Sequence, residues 1–153
     1  MSCDPPAPLQ VLPPYTPAQS VYRAVIHNDW LKNNNTRVHW KVFIRFKKDT
    51  LGVSVGPTAS DSLLGLTDDV FAITVMTVAQ IRAIQTHPDP PTYLDVVPDS
   101  TTHGNIGKLP DMDEDRNEAI RLAKLLAAQA QVHDHYLSDT WAAFIAAAKP
   151  PVD

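Results

Sequence analysis

Of the 153 residues only one is cysteine, five are glycine and two are glutamate. A lone Cys3 forms no intramolecular disulfide, and one thiol is no cluster for structural zinc. The five glycines compose neither of the common phosphate-cradling loops. Basic residues are in deficit, 13 Lys and Arg against 17 Asp and Glu. The resulting net charge of −4 and pI near 5.8 exclude a globally basic nucleic-acid binder. Long apolar runs are missing too. The longest, Val70 to Ile81, contains two Thr and a Gln and falls short of the roughly 20 residues that span a bilayer. Met1-Ser2-Cys3-Asp4 offers neither a basic nor an apolar signal region, so no secretory signal is expected. Asn34-Asn35-Thr36 then carries no glycan. These absences point to a cytoplasmic protein that does not enter a membrane.

The residues that are present describe a folded domain, with 44% apolar and 20% charged. Six of the 14 prolines fall between Pro5 and Pro17. Residues 1–19 are therefore expected to form an extended leader, because proline fixes φ and removes a backbone donor. A single α+β domain is expected over 20–132, with an accessory helix and tail over 133–153. Val21 to Ile26, Leu51 to Val55, Val70 to Val78 and Tyr93 to Val97 read as strands, the third buried on both faces. A short strand or turn is expected around Ile106. A helical turn follows at 79–84, and prolines 88, 90 and 91 mark a loop. The clearest alternation is Val38, Trp40, Val42, Ile44 and Phe46 against Arg37, His39, Lys41, Arg45 and Lys47, which predicts a strand broken in period only by Phe43.

Asp111 with Glu114 resembles a capping box opening a long amphipathic helix to about Val132, whose apolar stripe includes Ala119, Leu122, Ala123 and Leu126. A second helix is expected over 139–149, capped by Ser138, with Trp141, Phe144, Ile145 and Ala148 on its apolar face. The expected architecture is a small, mostly antiparallel sheet with one long C-terminal helix packed on it and a short terminal helix.

Charge is segregated. Residues 30–48 carry six bases and no acid, while the other seven bases face 17 acids, a net of −10. On the expected strand Arg37, His39, Lys41, Arg45 and Lys47 share a face with Phe43. Such a face either holds single-stranded nucleic acid by phosphate neutralisation and stacking, or protects a sheet edge. Arg23 in the first strand either snorkels or binds an anion. Asp95 and His103 make a candidate carboxylate–imidazole pair for general base catalysis, with Ser54 a candidate nucleophile outside any nucleophile elbow. His103 equally suits a turn. His133-Asp134-His135 lacks the further ligands a metal site needs, and Asp111-Met112-Asp113 fails as a calcium loop because Arg116 and Leu122 stand at its essential positions. No metal or cofactor is expected. Arg23 also fits the opening of the ADP-ribosyltransferase pattern, but Glu114 and Glu118 both open the long helix, where that pattern has no use for them.

Val21-Tyr22-Arg23, Leu51 to Val55, Leu94 to Pro98, His103 to Pro110 and Leu122 to Ala130 together resemble a group of small uncharacterised bacterial proteins, frequent in cyanobacteria. The resemblance covers roughly residues 20–132, with Gly104 where that group has Ala. It implies a bacterial cytosolic domain and assigns no reaction. The leading expectation is a non-catalytic interaction or regulatory protein with a protein partner, and an acidic one would fit the basic segment. The alternatives are a His-dependent phosphodiester or nucleotide hydrolase using Arg23 and His103, and a single-stranded RNA-binding module working through 37–47.

Overall fold

The computed structural model describes residues 12–45, 52–63 and 70–148. Residues 1–11 of the expected leader, Phe46, Lys47, Leu51 and the tail after 148 lie outside the described residues. In chain order the elements are β1 (Ser20–Val25), a first 3-10 turn (Asn28–Trp30), β2 (Leu31–Lys32), β3 (Arg37–Val38), a second 3-10 turn (Trp40–Phe43), β4 (Val53–Val55) and a third 3-10 turn (Asp61–Leu63). There follow β5 (Ala72–Thr77), α1 (Val78–Arg82), β6 (Gln85–Pro88), β7 (Pro91–Tyr93), β8 (Asp95–Pro98), β9 (Gly104–Gly107), α2 (Arg116–Gln129), β10 (Gln131–His135) and α3 (Trp141–Ala148). The class is α+β, and every strand pairing among the described residues is antiparallel.

β-branched residues make β5 the central strand of a β1-β5-β10 sheet. Its alternate residues feed two cores: Ala72 and Met76 enter the main one, while Ile73 enters a second with Trp141. That double burial matches the both-faces pattern of the sequence. Thr77 ends the strand and starts α1 through a capping box: its hydroxyl accepts from the Gln80 N–H at 3.2 Å, and the Gln80 side chain accepts from the Thr77 N–H at 2.8 Å. α3 turns Trp141, Phe144, Ile145 and Ala148 to the second core, as its spacing predicts. β10 crosses residue 132 and joins the central sheet.

Three expectations need correction. The sheet is not single: β2-β3, β4-β9-β8 and β6-β7 stand apart from β1-β5-β10. The 85–93 stretch is a hairpin, with its prolines at or beside the turn where no ladder donor is needed. The long helix is mid-chain, with β10 between it and the expected terminal helix, and the second 3-10 turn is the element its backbone approaches most. It also begins later than Asp111. That carboxylate accepts from the Asp113 and Glu114 N–H groups, both at 2.8 Å, and caps a preceding turn; Asp115 is the true N-cap. The bond from the Glu114 backbone is the main reason the Asp111 carboxyl titrates below its usual range, helped by Asp113 and Arg45.

Gly104 stands where the fold leaves no room for a side chain. A Cβ there would lie 2.5 Å from the Tyr15 hydroxyl and 2.9 Å from its ring. Tyr15 is buried, and its hydroxyl has no hydrogen-bond partner among the described residues. Burial, with Asp99 and Asp61 nearby, raises its pKa. Gly104→Ala is expected to cost about 1–3 kcal/mol by overpacking. In a Tyr15→Phe background, which removes the orphan hydroxyl and with it the nearer clashing atom while the ring atom at 2.9 Å stays, the cost should be smaller by roughly 1 kcal/mol. Urea unfolding of the four variants checks this, and equal costs in both backgrounds would refute the packing argument.

Candidate functional site

The strand expected over 37–47 does not form. β3 ends at Val38, and the chain then tightens into the second 3-10 turn. Val42, Phe43 and Ile44 are all buried, which no period of two permits. The turn is capped by His39, whose Nδ1 accepts from the Lys41 N–H at 3.1 Å. The would-be basic face is therefore divided. Arg45 leaves it altogether, donating to the Leu109 carbonyl at 2.7 Å and pairing with Glu114 at 2.9 Å and Asp111 at 3.5 Å. Lys47 lies outside the described residues.

Arg37, His39 and Lys41 meet different neighbours. Asn33, Asn34 and Asn35 have φ of 51°, 57° and 66°, three successive left-handed residues for which Asn is suited. This turn, closed by Thr36 N–H bonds to the Lys32 and Asn33 carbonyls at 3.1 and 3.3 Å, folds β2 onto β3. The fold sets Lys32 directly opposite Arg37. Like charges at directly opposed positions destabilise a hairpin. Lys124, off the apolar stripe of α2, faces this pair across a cleft of about 570 Å³ that Trp40 and His39 also line. Ala127 and Ala130 lend it room. A second hollow of about 340 Å³ shares Lys32 and His39 with the first and adds Lys41, Trp30, His27 and Asp29. The aromatic rings come in pairs: His27 meets Trp30 edge-on at 4.4 Å, and His39 meets Trp40 at 5.0 Å.

The electrostatics agree with the geometry. Arg45, Arg82 and Arg121 are in ion pairs, whereas among the described residues Lys32, Arg37, Lys41 and Lys124 have no carboxylate within pairing distance. Partial burial, together with Lys32, Lys41 and Lys124, pushes the His39 pKa below its ordinary value. No acid lines the larger cleft, and Asp29 alone lines the smaller.

The other candidate residues are engaged elsewhere. Arg23 donates from Nε to the Val42 carbonyl at 2.5 Å and from Nη1 to the Ser54 carbonyl at 2.7 Å, tying β1 to the second 3-10 turn and to β4. Asp95 is held by Arg82 at 2.8 Å and does not face His103. The carboxylate on His103 is Asp99, 2.7 Å from Nδ1, which also accepts from Asn105 at 3.0 Å. Ser54 sits across from Asn105 in the β4–β9 ladder. His133 packs edge-on against Tyr22, and the His135 Nδ1 accepts from the Leu137 N–H at 3.3 Å. Among the described residues no cluster of metal-ligating side chains forms, and no helix is long and apolar enough to cross a membrane.

Sequence reasoning missed Lys124, Trp30 and Trp40 as site residues. Nothing local in α2 announces that Lys124 lies against a hairpin some 90 positions earlier. The Asn triplet between Lys32 and Arg37 is the signal that could have revealed the hairpin. No family model, curated protein or solved structure matches the chain.

Proposed function

We propose that the protein is a non-catalytic interaction module that captures an anionic partner in the cleft between the β2–β3 hairpin and α2. One observation carries this reading: Lys32, Arg37 and Lys124, without carboxylate partners among the described residues, converge on a cavity lined by no acid. Unpaired like charges cost stability in the empty protein, and an anion relieves that cost on binding. The hydrolase alternative gains no support, since Arg23, Asp95 and His103 each face other partners.

Inorganic polyphosphate is a suitable probe, because its internal phosphates stay ionised across the pH range that matters. Binding is expected to weaken with salt, with a log–log slope of roughly −2 for three phosphate contacts. The triple substitution Lys32→Ala, Arg37→Ala, Lys124→Ala should weaken it about a hundredfold, at roughly 1 kcal/mol per contact. Equal affinity of parent and variant would overturn the reading.

The pH dependence has a definite sign. His39 is faced by Lys32, Lys41 and Lys124, with His27 and Asp29 in the adjoining hollow. Its depressed pKa means that folding stability is full above the ordinary histidine value near 6.5 and declines as pH falls through the lower folded value. A bound anion acts in the opposite direction, raising the His39 pKa. Affinity should therefore rise from about pH 7.5 to about 5.5, less steeply in His39→Gln.

A further inference from the structure

We infer that the anion is a nucleotide step: a phosphodiester held on the Lys32 and His39 saddle, with its two bases in the two aromatic-lined hollows. The inference rests on the anion-binding reading above and names its ligand. Three observations carry it. The hollows share Lys32 and His39, so one phosphate at the saddle has a cavity on either side. Trp40 lines one cavity and Trp30 the other, each with a histidine ring beside it. Bases stack on such rings without regard to sequence. The larger cavity, about 570 Å³, is of a size for small ligands.

The alternatives fit less well. A protein partner seeks a large apolar or aromatic anchor surrounded by a polar rim. Among the described residues the exposed large hydrophobics Tyr93, Val97, Leu125, Tyr136 and Leu137 line neither hollow. A long strand would run onto the rest of the surface, whose sequence is strongly acidic, and be repelled. The footprint is therefore short, supplied either by a free dinucleotide or by an end or loop of single-stranded RNA or DNA.

The test uses the full chain and the indole N–H signals of its three tryptophans. Trp141 sits in the second core, away from the cleft, and serves as the internal reference. A ribodinucleoside monophosphate without terminal phosphate is expected to shift the Trp30 and Trp40 signals and leave that of Trp141 in place. Trp40→Ala should weaken dinucleotide binding roughly tenfold while changing polyphosphate binding less than about twofold, and Trp40→Phe should restore most of the loss. If Trp40→Ala unfolds, the wild-type shifts still decide. A single strand of about ten nucleotides binding no tighter than the dinucleotide bears out the two-nucleotide footprint, and much tighter binding overturns it. Polyphosphate binding with no Trp30 or Trp40 shift from either nucleotide probe overturns this inference and leaves the anion reading standing. Failure of polyphosphate as well overturns both. Poly-aspartate binding with neither nucleotide probe bound also overturns the nucleotide step, in favour of an acidic protein.

Discussion

Replacing Gly52 with alanine is expected to remove roughly 3 kcal/mol or more of folding stability, a large share of the 5–15 kcal/mol or so available to a domain. Gly52 leads into β4 with φ of +128°, a conformation that a side chain strains. A Cβ there would overlap the Ile106 carbonyl oxygen and lie 2.8 Å from its carbon. That obstacle is backbone, so no rotamer change relieves it. Ile106 is fully buried and pairs with both Val53 and Val96 in the β4-β9-β8 sheet. Displacing it disturbs the whole sheet and, through the Ser54 carbonyl, the Arg23 tie to β1. Gly107 is the control: its Cβ would meet nothing within 4 Å, so Gly107→Ala should stay within about 0.5 kcal/mol. Urea unfolding of the two variants decides the matter. A Gly52→Ala midpoint equal to that of Gly107→Ala would rule out the close approach.

Elements fixed by local chemistry were readable from the residues alone. β1, β5 and α3 follow from β-branched content or a four-residue apolar face. What was not legible depends on tertiary partners. Arg45 alternates in phase with Arg37 and Lys41, yet Glu114 and the Leu109 carbonyl, more than sixty residues later, draw it inward. His103 has two carboxylates in the eight positions before it, Asp95 and Asp99, and only the β8–β9 register says which one it meets. The same holds for the cleft. Its charge excess shows in the +6 segment, but its other wall is α2, and composition cannot bring Lys124 to Lys32. The alternation over 38–46 was misleading because residues 42, 43 and 44 are buried together, as a 3-10 turn and its C-cap set against a helix allow, whereas a strand with one outward face would bury them alternately.

That last point has a direct consequence. Phe43→Ala is expected to cost about 3–5 kcal/mol, whereas a Phe43 on the outer face of a strand would cost within about 0.5 kcal/mol. Phe43 is 1% exposed and lies in the main core with Leu122 and Leu126 of α2. It anchors the turn whose cap is His39 and whose second residue is Lys41, against the helix that carries Lys124. Truncating it leaves a cavity at the joint between the two walls of the cleft, so the loss of stability should come with loss of anion binding. Phe43→Leu, which keeps most of the volume, should cost less than about 1.5 kcal/mol and retain binding. Lys41→Ala, exposed on the same turn, should leave stability within about 0.5 kcal/mol. Urea unfolding and polyphosphate titration of the three variants separate the readings. A Phe43→Ala protein as stable as Lys41→Ala would restore the outward-facing strand and remove the second 3-10 turn as the floor of the site.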